Sequence, residues 1–134
     1  MGRRFQCHKI SEGCAEAEAL VSKDHIMFYL IEPKTGTVIE KAHDLEGKTV
    51  AGKALVFPGG KGSSVVQADG LYQLKIQGNM PAAMIIQHPE TVLVSSAIIM
   101  EIPMVDKVEP EFYEILKEGD RILVNADQGF VEIL

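Results

Sequence analysis

The sequence has only two cysteines and no long apolar segment, and these absences narrow what the chain can be. The longest stretch without Asp, Glu, Lys or Arg covers residues 76–89 and contains two prolines. A membrane helix needs about 20 consecutive apolar residues. The basic start, Met1–Phe5, is not followed by the apolar run of a secretory signal. The sequence therefore predicts a soluble, cytoplasmic protein.

Residues that bind metals are scarce. Cys7 and Cys14 do not have C-x-x-C spacing. The four histidines are scattered along the chain: His8, His25, His43 and His88. Zinc and iron–sulfur sites need about four such ligands. We therefore expect no metal bound by this chain alone, and two reduced structural thiols.

The sequence also has fewer basic than acidic residues, with 13 Lys and Arg and 19 Asp and Glu. Nucleic-acid-binding proteins normally have a basic surface, so that class is disfavoured. Residues 1–67 hold 9 basic and 8 acidic side chains, whereas residues 68–134 hold 4 and 11. An anionic ligand is therefore expected to meet the first half of the chain.

The apolar pattern is that of one folded domain. A chain of 134 residues, 46% of them hydrophobic, can bury a core without disulfides or metals. We predict a single domain over residues 1–134. The segment 91–100 is interpreted as a strand that begins at Val92, followed by a short helix over 97–100. The remaining predicted elements are strands over 15–21, 26–31, 37–40, 54–57, 81–86 and 102–105, helices over 65–77 and 110–117, and a hairpin of 121–124 with 130–134.

The most informative segment is the glycine loop, residues 58–62, which reads Pro-Gly-Gly-Lys-Gly and is followed by two serines. Strand, loop, helix and strand over 54–86 form a β-α-β unit, so the fold is predicted to be α/β with a mixed sheet. Glycines let a ligand approach main-chain N–H groups, and a helix start attracts anions. The loop fits neither the phosphate-binding G-x-x-x-x-G-K-S/T motif nor G-x-G-x-x-G.

Two interpretations of the loop stay open. It is either a site for a small acidic molecule or a glycine-rich turn with a serine cap and no ligand. In the first interpretation, the substrate-binding residues are Gly59, Gly60, Lys61, Gly62 and Ser64. Ser64 is also the favoured candidate for the helix cap.

Several segments of the chain resemble the small subunit of aconitase X enzymes, in the same order and over essentially the whole chain. They are Gly13–Val21, Val56–Ser64, Pro81–Ile86, Ala97–Asp106 and Gly119–Asp127. The resemblance implies a swivelling β/β/α domain, equivalent to the mobile last domain of aconitase. It also implies a heterodimer with a large subunit that carries the iron–sulfur cluster. Ser63 corresponds to the family's catalytic serine, the proton acceptor of a hydro-lyase.

The resemblance also limits the substrate. It implies dehydration of (R)-5-phosphomevalonate to trans-anhydromevalonate 5-phosphate, with cis-3-hydroxy-L-proline as the alternative substrate. A stand-alone anion-binding module without catalysis is the alternative of another class. After Ser63 the chain departs from the family's usual Thr and Val-Gly-Ser, and Gln67 and Asp69 are therefore candidates to alter what the pocket accepts.

Overall fold

The computed structural model describes residues 2–134, which form ten strands and three α-helices. The strands are β1 (Arg3–Gln6), β2 (His8–Ser11), β3 (Cys14–Val21), β4 (Ile31–Glu32), β5 (Thr37–Val38), β6 (Ala54–Phe57), β7 (Ala83–Ile86), β8 (Met104–Asp106), β9 (Arg121–Asn125) and β10 (Phe130–Ile133). The helices are α1 (Ser64–Ile76), α2 (Thr91–Ile99) and α3 (Glu111–Ile115), and a 3-10 helix covers Phe28–Leu30.

Eight strands form one mixed sheet in the order β1-β10-β9-β3-β6-β7-β8-β2. Strands β3, β6, β7 and β8 are parallel to one another, and all other neighbours are antiparallel. The unit β6-α1-β7 is the predicted β-α-β unit, which confirms the mixed α/β fold. Strand β3 joins the two halves, because it pairs with β6 on one side and β9 on the other.

The parallel strands are buried on both faces. In β6, Leu55 and Phe57 pack in a core with residues of α1 and α2. Ala54 and Val56 face the other way and pack against β9, β10 and α3. Helices, parallel strands and antiparallel strands therefore form three layers, which explains why β6 and β7 read as continuous apolar runs.

Helix α1 lies directly on the backbone of the 3-10 helix, and Gly70 permits this contact. A Cβ atom at Gly70 would lie 2.5 Å from both the Phe28 carbonyl carbon and the Tyr29 amide nitrogen. The close approach buries Phe28, whose ring packs edge-on against Phe57 with centroids 5.9 Å apart. Glycine at position 70 therefore sets the distance between α1 and the segment 28–30.

Two of the predicted strands are wrong. In the segment 26–31, Ile26 makes a single bridge to Gly60, the 3-10 helix that buries Phe28 follows, and strand pairing resumes only at Ile31, the first residue of β4. Residues 91–99 form helix α2 rather than a strand from Val92, because the Glu90 carboxylate accepts from Leu93 N–H at 3.2 Å and caps the helix.

The edge strands β1 and β2 were not predicted from the sequence. Four of their eight residues are Arg, Lys or His, and a polar edge gives no apolar run to detect. The hairpin of β9 and β10 and the helix over 110–117 are confirmed, although the helix is shorter than predicted. Within residues 2–134, no helix combines the length and apolar character needed to cross a bilayer.

Candidate active site at the glycine loop

The glycine loop connects β6 to α1 at the carboxyl ends of the parallel strands. Open α/β sheets bind their ligands at this edge. The loop is fastened to the segment after β3, because Ile26 N–H donates to the Gly59 carbonyl at 2.9 Å and Lys61 N–H donates to the Ile26 carbonyl at 3.0 Å. All six predicted site residues lie in this turn, in which Gly59 is buried, Gly60 and Lys61 are partly buried, and Gly62, Ser63 and Ser64 are exposed.

Gly60 and Gly62 are required by the geometry of the loop. A Cβ atom at Gly60 would lie 2.3 Å from Gln67 Oε1 and 2.6 Å from Leu93 Cδ1. Gly62 has a φ of 101°, which is in the left-handed region that side chains disfavour. The turn therefore reaches the start of α1 in a conformation that other residues would not adopt.

Ser63 is the N-cap of α1. Its hydroxyl oxygen accepts from Val66 N–H at 3.4 Å, and its side chain is exposed to solvent. The prediction that Ser64 caps the helix is wrong, since Ser64 is the first helical residue and its hydroxyl takes no part in the cap. Ser63 therefore holds its hydroxyl at the positive end of a 13-residue helix.

The start of α1 offers unused hydrogen-bond donors. The N–H groups of Gly62, Ser63, Ser64 and Val65 have no acceptor among residues 2–134. The four residues are exposed, so these donors can reach a ligand. An anionic oxygen bound here would be stabilised by several N–H groups and by the helix dipole.

Gln67 supports the loop from behind. Its side chain is 3% exposed, and its Nε2 donates to the Gly62 carbonyl at 3.0 Å. Its Oε1 has no hydrogen-bond partner among the residues that the structure describes, 2–134, and lies against Gly60. Gln67 thus positions the loop and does not face the solvent. Asp69, the other position singled out from the sequence, is exposed and accepts from Gln73 at 3.4 Å.

Lys61 is paired within the chain. Its Nζ lies 2.5 Å from Glu40 Oε2, and both side chains are partly exposed. The Glu40 carboxylate opposes the charge of the Lys61 ammonium group. The role of Lys61 in binding the substrate stays a prediction.

Two histidines beside the loop were missed by the sequence reasoning. The His25 ring and the His88 carbonyl oxygen lie next to Gly59, and the two imidazole rings are nearly parallel, with centroids 6.5 Å apart. The sequence signal was weak, because the two residues are far apart in the chain. The available signal was their position after two parallel strands. His25 follows β3 and His88 follows β7, and the carboxyl ends of these strands meet at the same edge of the sheet.

The rest of the chain offers little alternative chemistry. Two open clefts lie elsewhere, one between β2 and the end of α2 and one between α1 and the hairpin β4–β5. No group of three or more His, Cys, Asp or Glu side chains in the described part of the chain could hold a metal ion. Burial, together with the charge of Asp106, raises the pKa of the Cys7 thiol to about 11, so that thiol is a poor metal ligand.

Comparison with known proteins places this geometry in a family. The family model for the aconitase X swivel domain matches residues 4–133. The small subunit of phosphomevalonate dehydratase from Methanosarcina mazei is 48% identical over 132 residues, which are 98% of this chain and 91% of that one. The corresponding subunit from Archaeoglobus fulgidus is 44% identical and covers 98% of both chains.

Solved structures agree in fold. The crystal structure of Thermococcus kodakaraensis aconitase X in its holo-form superposes with a TM-score of 0.89 at 41% identity, covering 98% of both chains. A protein determined by solution NMR superposes with a TM-score of 0.87 at 44% identity, covering 98% of this chain and 99% of that one. The match in sequence and fold runs along nearly the entire chain, and the chain belongs to the aconitase X swivel domain family.

Proposed function

We propose that this chain is the small subunit of a phosphomevalonate dehydratase, a hydro-lyase that converts (R)-5-phosphomevalonate to trans-anhydromevalonate 5-phosphate. Relatives with that name match almost the whole chain at 44–48% identity. The observation that carries the proposal is the hydroxyl of Ser63, which stands among four free N–H groups at the start of α1. This arrangement suits a reaction in which a serine takes a proton beside a carboxylate.

The reaction removes a proton from the carbon next to the carboxylate and a hydroxyl group from the carbon beyond it. The C–H electrons become the new C=C bond as the C–O bond breaks, and the hydroxyl leaves as water with one added proton. A neutral serine is a poor base, so Ser63 must be close to the alkoxide form. The Val66 N–H bond, the free N–H groups and the helix dipole all stabilise negative charge on its oxygen.

A partner subunit is needed to enclose the substrate. Ser63 and Ser64 are exposed on an open turn, and neither of the two clefts described above includes them. The relatives' name, small subunit, supports a heterodimer with a large subunit. Closure by that subunit would exclude water and strengthen each polar contact in the site.

The iron–sulfur cluster implied by the family resemblance is expected in the large subunit. This chain does not fit such a group. Its two cysteines are Cys7, with a pKa raised to about 11, and Cys14, and no third ligand lies near either in the described residues. The chain's own contribution is therefore the serine, the loop donors and the residues that hold them.

Co-expression with the large subunit tests the proposal. We expect the two chains to elute together from size exclusion, and only the complex to consume (R)-5-phosphomevalonate. The same assay with cis-3-hydroxy-L-proline distinguishes the alternative substrate. Separate elution, or phosphate binding by this chain with no dehydration in the mixture, would instead favour a stand-alone anion-binding module.

A further inference from the structure

Gly59 lies beside the ring of one exposed histidine, His25, and beside the backbone of another, His88. The rings of His25 and His88 are inclined by only 8° and their centroids are 6.5 Å apart. A Cβ atom at position 59 would lie 3.2 Å from His25 Cδ2 and 3.1 Å from the His88 carbonyl oxygen. The absence of a side chain on Gly59 therefore lets the His25 ring and the His88 backbone lie close to the loop.

The backbones of the two histidines are fixed to the site. His88 N–H donates to the Pro58 carbonyl at 2.7 Å, which attaches the end of β7 to the loop. The His25 carbonyl accepts from His43 Nε2 at 2.9 Å, and the next residue, Ile26, pairs with Gly59. His43 is itself buried, and its Nδ1 accepts from Leu45 N–H at 2.9 Å. Backbone hydrogen bonds therefore fix the positions from which the two exposed rings extend.

The rings of His25 and His88 have no hydrogen-bond partner among residues 2–134. The other two histidines are engaged, since His8 Nδ1 contacts Asp106 at 2.7 Å and His43 uses both nitrogens. Lys61 is paired with Glu40. Together with the hydroxyls of Ser63 and Ser64, the rings of His25 and His88 are therefore side-chain donors beside the loop that an anion can reach.

We infer that His25 and His88 form an oxyanion-binding pair that holds the phosphate group of the substrate, while the loop and Ser63 hold its reacting end. A neutral imidazole presents one N–H donor and a protonated one presents two, so the pair offers at least two. Hydrogen bonds from such donors to a phosphate oxygen are about 2.7–2.9 Å long, and one phosphate can accept from both rings. The identity of the substrate in this inference rests on the proposed function, but binding of an oxyanion does not.

Titration of the full chain with inorganic phosphate tests the pair without any catalysis. The 44%-identical relative determined in solution by NMR makes this method suitable for the fold. We expect the imidazole signals of His25 and His88 to shift together at millimolar phosphate, while those of His8 and His43 stay in place. Sodium acetate at the same ionic strength is the second arm. A larger response to phosphate supports the phosphate end of the substrate, whereas equal or no response from the pair overturns the assignment.

Three matched variants complete the test in the assembled enzyme. His25→Gln and His88→Gln should each raise KM for (R)-5-phosphomevalonate at least tenfold and change kcat less than threefold. His8→Gln removes an exposed histidine from the same edge of the sheet and should leave both constants unchanged. Unchanged KM in both pair variants, or a loss confined to kcat, overturns the inference. A complex without any dehydratase activity would contradict the proposed function, and the phosphate titration would still decide whether the pair binds an oxyanion.

Discussion

Lys61 Nζ lies 2.5 Å from Glu40 Oε2, so the single cation of the glycine loop is paired with a carboxylate that is 21 residues away in the chain. The loop consequently presents backbone dipoles, and not a free ammonium group, to an incoming anion. The charge that a substrate meets at this turn therefore depends on a residue outside it.

Replacing Glu40 tests this relationship. Glu40→Gln should tighten binding of inorganic phosphate to the chain by about threefold to tenfold, because removal of one carboxylate leaves Lys61 unopposed. The free energy of unfolding should change by less than about 1 kcal/mol, since the pair is partly exposed. Glu12→Gln removes the same charge from an exposed position away from the loop and serves as the control. Weaker phosphate binding by Glu40→Gln would show that Glu40 holds Lys61 in its binding position.

Ser63→Ala should lower kcat of the assembled dehydratase by at least about 100-fold with little change in KM, as expected for loss of a proton acceptor. The cost in stability should be no more than about 1 kcal/mol, because the cap bond to Val66 is long. Ser64→Ala is the control, with measurable turnover and unchanged stability. If Ser64→Ala is inactive and Ser63→Ala is active, the catalytic assignment is off by one residue.

Gly60 and Gln67 should be energetically coupled. Gly60→Ala alone should destabilise the chain by about 1–3 kcal/mol, because its Cβ would overlap Gln67 Oε1. In a Gln67→Ala background that overlap is gone, so the same change should cost about 1 kcal/mol less. Urea denaturation of the two single variants and the double variant measures the coupling. Additive costs would mean that the loop moves away from Gln67 without strain.

The free energy of unfolding should fall at alkaline pH because of two partly buried acidic groups, the Cys7 thiol and the Tyr113 hydroxyl. Burial raises the pKa of the Tyr113 hydroxyl to about 12 and of the Cys7 thiol to about 11, and the charge of Asp106 adds to both shifts. Acids whose pKa is raised on folding stabilise the native state while protonated, and this contribution is lost as the pH rises from about 9 to 12. Melting temperatures by circular dichroism should therefore decline over that range. Cys7→Ala should weaken the decline between pH 9 and 11, and the exposed Cys14→Ala should not.

Much of the architecture could be predicted because the parallel strands are buried on both faces. Ala54–Phe57 and Ala83–Ile86 are unbroken apolar runs, and the glycines and serines between them mark a turn and a helix start. The prediction of a strand over residues 26–31 was wrong because these apolar residues pack against α1 and do not form a continuous strand. That contact depends on Gly70, which is distant in the sequence.

Only the contiguous part of the site, the glycine loop and the two serines after it, could be predicted from the sequence. The loop and its serines are contiguous, so their joint position follows from the sequence. The partners of these residues are not contiguous: Glu40 reaches Lys61 from another segment, and Gln67 turns inward where a solvent-facing role was plausible. Long-range pairing of this kind is decided by sheet order, which no local pattern specifies.

The close contact at Gly70 has a consequence for how substrates of different length are accommodated. Backbone meets backbone where α1 lies on Phe28 and Tyr29, so α1 cannot slide without displacing the segment that carries His25. The contact therefore keeps the middle of α1 at a fixed distance from the segment next to His25. A substrate of different length would therefore be accommodated by different side chains near Ser63 and His25, and not by a shift of α1.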